Sequence, residues 1–348
     1  MVWFPITDPS RAADIRMRRK RALMLLGLVV CVPWLLWGNH AEHAANHRRV
    51  RLTISDLPEP PVPPVPPVPP EPPAPPTGAQ SQRFTAASLT IDLPCADSVS
   101  IQEDDSLDGQ TVLSASQSTL DAISVRNGTL TEGRGCSDDS GVVIRTGRTT
   151  PLTLVQSGDN DLHVGRFDGA VSLVVDGSGD VRIDHAGALT VRGNKSGDVS
   201  VGSVSGPVTA IMTGSGDLGI DGGTIPVLDA TLRGSAGLNL GSVAILGGRI
   251  AAVGSGDISL ASARDAFEAD LSGSGDMTIK SVDLQHLELR AYGSGDVTIG
   301  TGRIAVMNAV RYGSGDLSIA AEIGSGLFDH RGNGDVDIPH RGALQSHN

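Results

Sequence analysis

Gly177-Ser178-Gly179-Asp180-Val181-Arg182-Ile183 is the stretch that decides the fold, because the chain keeps returning to it. The tetrapeptide recurs as Gly214-Ser215-Gly216-Asp217, Gly254-Ser255-Gly256-Asp257, Gly273-Ser274-Gly275-Asp276, Gly293-Ser294-Gly295-Asp296 and Gly313-Ser314-Gly315-Asp316. Looser copies stand at Lys195-Ser196-Gly197-Asp198, Gly234-Ser235-Ala236-Gly237 and Gly332-Asn333-Gly334-Asp335. A fixed period of about 20 residues is the signature of a solenoid.

The flanks of the tetrapeptide alternate. Val181/Ile183, Val199/Val201, Leu218/Ile220, Ile258/Leu260, Val297/Ile299 and their equivalents follow it as apolar-polar-apolar triplets. Leu162-His163-Val164 joins the series if Asp161, not Asp159, is the register residue, and Val142-Val143-Ile144 lies one period earlier. A second alternating stretch precedes each copy, as in Val171/Leu173/Val175 and Leu287/Leu289/Ala291. Period-two alternation buries one face of a strand and exposes the other. Each repeat thus holds at least two strands joined at a glycine corner, with no room for the helix of a βαβ unit. The expected fold is all-β, a parallel β-solenoid (β-helix) of about 20-residue coils with two or three faces, roughly 50 Å long, whose stacked coils share one aliphatic core.

Composition agrees. Aromatic residues make up 3% of the chain, and the 44 glycines gather at the corners. The net charge of −12 is uneven: residues 1–83 carry a small positive excess and residues 84–348 are strongly acidic. An acidic solenoid is a poor match for phosphate backbones, so nucleic acid is not an expected partner.

Ahead of the repeats lie three segments of different character. Residues 1–21 end in Arg16-Met17-Arg18-Arg19-Lys20-Arg21 and read as a cytoplasmic basic tail. Residues 22–38 carry an apolar run with Trp34 and Trp37 near its end, which reads as a transmembrane signal anchor oriented by the preceding positive charge. A cleaved signal peptide is the competing reading, and it lacks a good small-x-small site. Residues 39–83 form a Pro-rich linker whose tract at 58–76 reads as a stiff polyproline II stalk. With this order the rest of the chain is expected to stand outside the cytoplasm, on a single-pass membrane protein.

Residues 84–150 are less regular and are expected to form an irregular β cap of antiparallel strands over the first coil, with Asn127-Gly128 as a hairpin turn. Residues 151–340 are the repeat solenoid, and 341–348 a disordered tail. Asp97-Ser98-Val99-Ser100-Ile101, then Leu120 to Leu130 (Leu-Asp-Ala-Ile-Ser-Val-Arg-Asn-Gly-Thr-Leu), then Gly-Ser-Gly-Asp coils from Gly177 on, make a specific pattern. It resembles the putative auto-transporter adhesin, head GIN domain family, over roughly residues 84–338. The resemblance implies a bacterial envelope protein of β-helical fold with no catalytic residues to carry over.

The candidate sites are few. Asp161, Asp180, Asp198, Asp217, Asp257, Asp276, Asp296, Asp316 and Asp335 would stack at one corner about 4.8 Å apart, interrupted at Gly237. Calcium would relieve their repulsion, but it wants six to eight oxygens, and the preferred reading is that each carboxylate caps N–H groups of its own turn. Tyr292 and Tyr312 fall one repeat apart and could form a small stacking site. Cys95 and Cys136 are a disulfide pair if this region is outside the cytoplasm. His163, His185, His286, His330 and His340 lack metal spacing and are expected at the surface. Gly214-Ser-Gly216-Asp-Leu-Gly219 opens a strand rather than a helix, so its match to a dinucleotide fingerprint is a coincidence of the repeat.

No catalytic constellation, metal or cofactor is expected. The functional expectation is a non-enzymatic, membrane-anchored envelope module, adhesin-like or partner-binding, that meets an envelope protein or glycan. A self-assembling scaffold and a polysaccharide-acting β-helix enzyme are the alternatives.

Overall fold

The computed structural model describes residues 79–133 and 141–347, and the tail, anchor and stalk expected before residue 79 lie outside them. The described chain is a parallel β-solenoid of about ten turns. Each regular coil has three faces. The first face is the strand leading into the corner, and its successive rungs Leu189–Gly193, Val208–Met212 and Leu228–Leu232 pair in parallel and in register. The corner tetrapeptide follows. The second face is the short apolar-polar-apolar triplet, with Val181–Ile183 on Val199–Val201 on Leu218–Ile220. The third face is narrower and less regular in register, and its inward residues include Ala186, Val204, Ile225, Ile245, Ala263, Leu284, Ile304 and Ile323, all buried. The inward residues of all three faces merge into one core that runs the length of the stack. A coil cannot bury these side chains alone; it does so only against its neighbours.

The glycines of the corner act in two ways. Gly293 has φ +124°, a region side chains rarely enter, and a Cβ there would overlap the carbonyl oxygen of Gly273 in the preceding coil. Gly295 has no such φ, but a Cβ there would overlap the carbonyl of Gly275. One glycine is required by the turn, the other by the closeness of stacked corners.

The start of the stack departs from the expected order. The first strands are β1 (Gln80–Thr85), β2 (Leu89–Asp92), β3 (Ser98–Glu103) and β4 (Gln110–Ala115). A short helix α1 (Gln117–Ala122) and strands β5 (Ile123–Arg126), β6 (Thr129–Glu132) and β7 (Gly141–Thr146) follow. β1 begins inside the expected linker. β2 and β3 are not antiparallel irregularities: they pair in parallel with Leu152–Val155 and Asp161–Val164 and so form a full rung. β6 and β7 pair in parallel with the other edges of β2 and β3. The rung containing Val142 and Ile144 is therefore not next to Leu162 and Val164, as the period suggested. Val99 and Ile101 lie between them. The chain lays one rung, passes outside it to lay another, then returns to build the rest.

β5 and β6 form the antiparallel hairpin marked by Asn127-Gly128, whose φ angles of +51° and +78° suit a type I′ turn. β4 lies antiparallel on β7, and β1 antiparallel on β4. At the other end, Ala343–His347 is a strand, not a disordered tail: it pairs in parallel with Ser325–Asp329, because Gly342, at φ +47°, turns the chain back onto the first face.

Candidate functional site

The aspartate column is a hydrogen-bond ladder between coils. Asp161 Oδ1 accepts the Asp180 N–H at 2.9 Å, Asp180 accepts that of Asp198 at 3.1 Å, and Asp198 that of Asp217 at 2.8 Å. Beyond the gap, Asp257 serves Asp276 at 2.9 Å, and Asp276, Asp296 and Asp316 serve Asp296, Asp316 and Asp335, each at 2.8 Å. The expectation that each carboxylate caps its own turn is corrected. The Asp N–H points along the stack, as rung N–H groups do, and the side chain of the previous coil stands in for a rung carbonyl. The Gly237 N–H donates to Asp217 Oδ1 at 2.7 Å, but Gly237 has no carboxylate to offer Asp257, so the ladder runs in two parts. Asp161 is the register residue at the start. Among the described residues no group of three or more His, Cys, Asp or Glu side chains is gathered as metal ligands would be.

The tyrosines do meet. Tyr292 and Tyr312 pack edge to face, with centroids 5.6 Å apart and planes at 80°. The Tyr312 hydroxyl donates to Asp329 Oδ2 at 2.7 Å, and the Arg331 guanidinium lies 5.4 Å from the Tyr312 centroid. The shared hydrogen bond pushes the tyrosine pKa up and the Asp329 pKa down. Beside them on the first face is an ionic lattice. Arg290 reaches Asp270 at 3.0 Å, Glu268 at 3.1 Å and Glu288 at 2.6 Å, while Arg249 also reaches Asp270 at 3.2 Å. Hydrogen bonds to Asp270 and Glu268 raise the Arg290 pKa.

Two polar residues are inside. Arg311 is 1% exposed. Its Nε donates to the Gly315 carbonyl at 3.0 Å, one terminal nitrogen to Gly295 at 2.9 Å, and the other to Ala291 and Gly293 at 3.3 and 3.4 Å. Burial lowers its pKa. Its rung neighbour Ala291 is small, which leaves room for the guanidinium under the corner. The sequence held a signal for this: in the repeat, Arg311 aligns with the inward Leu271 and Ala291.

His185, expected at the surface, is buried too, two residues beyond the inward Val181 and Ile183 on the same parity. Its Nδ1 is 2.8 Å from Ser203 Oγ and its Nε2 is 3.7 Å from Asp168 Oδ1. Burial, then the Arg166 charge, lowers its pKa and so favours the neutral ring. These are the residue types of a hydrolytic triad, but the surroundings do not suit one. The nearby amides of Gly202, Val204 and Ser205 already donate to Ile183, Gly222 and Ala186, leaving none of them to hold an oxyanion. The arrangement ties neighbouring coils together.

Cys95 takes part in a disulfide, and Cys136, its expected partner, lies outside the described residues.

The fold and its polar surface define a class: a three-faced β-solenoid whose main-chain groups are largely engaged between coils and whose free chemistry lies on flat outward faces. Residues 248–347 match the family described as putative auto-transporter adhesin, head GIN domain, so the resemblance read from the repeats holds there. Among solved structures, the chain is similar to a putative adhesin from Bacteroides fragilis at 16% identity and TM-score 0.37, covering 63% of this chain and 96% of that one. A putative adhesin from Parabacteroides distasonis matches at 13% identity and TM-score 0.31, covering 77% and 97%. A putative lipid binding protein from the same organism matches at 12% and 0.28, covering 78% and 97%. No curated protein matches the sequence.

Proposed function

We propose that this protein is a non-enzymatic envelope module: a β-solenoid held outside the cytoplasm by the apolar segment 22–38, raised on the Pro-rich stalk, and used to bind a partner. The observation that carries this reading is the head GIN domain match over residues 248–347, which falls on the coils bearing the richest outward chemistry. Those coils present Tyr292, Tyr312, Asp329, Arg331 and the Arg290 lattice on one flat face. In the same reading, β4 and β1 act as a cap, because antiparallel pairing on β7 covers an edge that would otherwise template another chain. The disulfide at Cys95 fits an oxidising compartment.

The test is fractionation of cells expressing the full chain with a C-terminal tag. The expected result is a product that stays in membranes after alkaline washing and whose solenoid is digested by protease only once the outer barrier is opened. Recovery in the soluble cytoplasmic fraction would overturn the reading.

A further inference from the structure

The outward side chains of the first face form a lattice, because successive rungs pair in register. At the late coils the columns read Glu288, Arg290, Tyr292 on one rung, Asn308, Val310, Tyr312 on the next, and Leu327, Asp329, Arg331 on the third. His347 lies beside Asp329 on the last strand. The earlier rungs of the same face are plainer: Ser172 and Val174, then Thr190 and Arg192, then Thr209 and Ile211. Large planar groups are concentrated where the head GIN domain match lies.

We infer that this lattice is a binding site for a neutral, extended β-linked oligosaccharide, lying along the stack over Tyr292. Three observations carry the inference, which rests on the partner-binding reading above. First, the aromatic surface is preorganised. Tyr312 is fixed by Asp329 and Arg331, and it braces Tyr292, which is 41% exposed. A sugar ring stacking there would find a platform whose ordering is already done. Second, a groove of about 480 Å³ opens on the same face beside the tyrosines, with Val310, Leu327 and Phe328 as its apolar part and Glu288, Asn308 and Arg331 among its polar lining. Carboxylate, amide and guanidinium groups pair well with vicinal hydroxyls. Asp329 is itself held from two sides, by the Tyr312 hydroxyl at Oδ2 and by Arg331 Nε, 3.4 Å from its enclosed Oδ1, so it fixes the wall of the groove.

Third, the charges are already paired. Glu288 is held by Arg290, and Asp329 sits beside Arg331. A strongly charged ligand would have to compete with these pairs, whereas a neutral polyol would not. The rung spacing of about 4.8 Å is comparable to the advance per sugar along an extended β-1,4-linked chain, so neighbouring rungs can meet neighbouring sugars.

The experiment is calorimetric titration of the full chain with cellohexaose and with N-acetylchitohexaose, with hyaluronate as a charged comparison. The expected result is binding of at least one neutral hexamer, weakened about tenfold or more in Tyr292→Ala, retained in Tyr292→Phe, and weakened in Asp329→Asn. Thermal melting of each variant confirms that the exposed substitution leaves the fold intact. Absence of binding by both hexamers at millimolar concentration, binding that ignores Tyr292→Ala, or binding of hyaluronate alone would overturn the inference. Such a failure leaves the fractionation result standing, so the two readings fail separately.

Discussion

Asp276 Oδ1 accepts the backbone N–H of Asp296 at 2.8 Å, across the gap between successive coils. This makes the most repeated residue of the chain a bracket between turns. Replacing Asp276 with alanine leaves the Asp296 amide without that acceptor at a corner that is otherwise tightly stacked. The expected cost is about 1 kcal/mol, since the site is open to water and a net hydrogen bond is worth about that much. Asp335, whose N–H donates to Asp316 and whose own carboxylate is the last of the column, should cost less when replaced. Urea unfolding of the two variants side by side checks the ranking; equal losses would remove the ladder from the account.

Calcium should leave the melting temperature unchanged. Each of these carboxylates except the last already commits one oxygen to an amide, while calcium asks for six to eight oxygens at one point. Melting the protein in millimolar calcium and in chelator decides this, and a rise of many degrees with calcium would recast the column as a metal site.

Gly293→Ala should be among the most damaging single methyl additions in the chain. The new Cβ meets both a strained φ of +124° and the Gly273 carbonyl. Strain and overpacking together are expected to cost about 2–5 kcal/mol. Gly241→Ala is the control, because its Cβ would find only the Asn239 side chain at an ordinary 3.5 Å. Denaturation midpoints for the pair should differ widely.

Arg311→Met should destabilise the protein by about 2–4 kcal/mol even though it replaces a buried charge with a hydrophobe. The carbonyls of Gly295 and Gly315 would lose their guanidinium donors inside the core, and each unsatisfied group costs about 1–3 kcal/mol. Arg311→Lys should recover only part of this, because an ammonium cannot reach both carbonyls with a planar fork. Unfolding free energies of the two variants test the point.

His185 makes stability depend on pH in a stated direction. Its pKa is lowered in the folded protein by burial and by Arg166, with Asp168 partly opposing. Below about pH 6.5 the unfolded chain therefore binds a proton here that the folded chain refuses. Stability should fall as the pH drops through that value and should be insensitive to this group above it. Urea midpoints at pH 7.5 and 5.5 should show a smaller drop in His185→Gln than in the parent.

Much of the candidate surface was open to sequence reading, and the rest was hidden for definite reasons. Tyr292 and Tyr312 could be placed one above the other because they occupy the same position of the repeat. That Tyr312 would be tied to Asp329 could not, because the hydroxyl reaches diagonally to the next rung. Arg311 and His185 have inward parity, but a charged or polar type at such a position reads as outward until its carbonyl or hydroxyl partners are seen.

The sequence by itself determined the solenoid, the corner, the inward faces and the aspartate column, because each depends on a local period that repeats. Only the tertiary structure decided which coil touches which. Val142–Ile144 precedes Leu162–Val164 by one period, yet Val99–Ile101, from much earlier in the chain, lies between them. Only the tertiary structure decided, too, that an aspartate serves the next coil rather than its own turn. In a parallel stack every rung bond joins residues about 20 apart or more, so the identity of the neighbour is set by the path of the chain and not by the residues beside it.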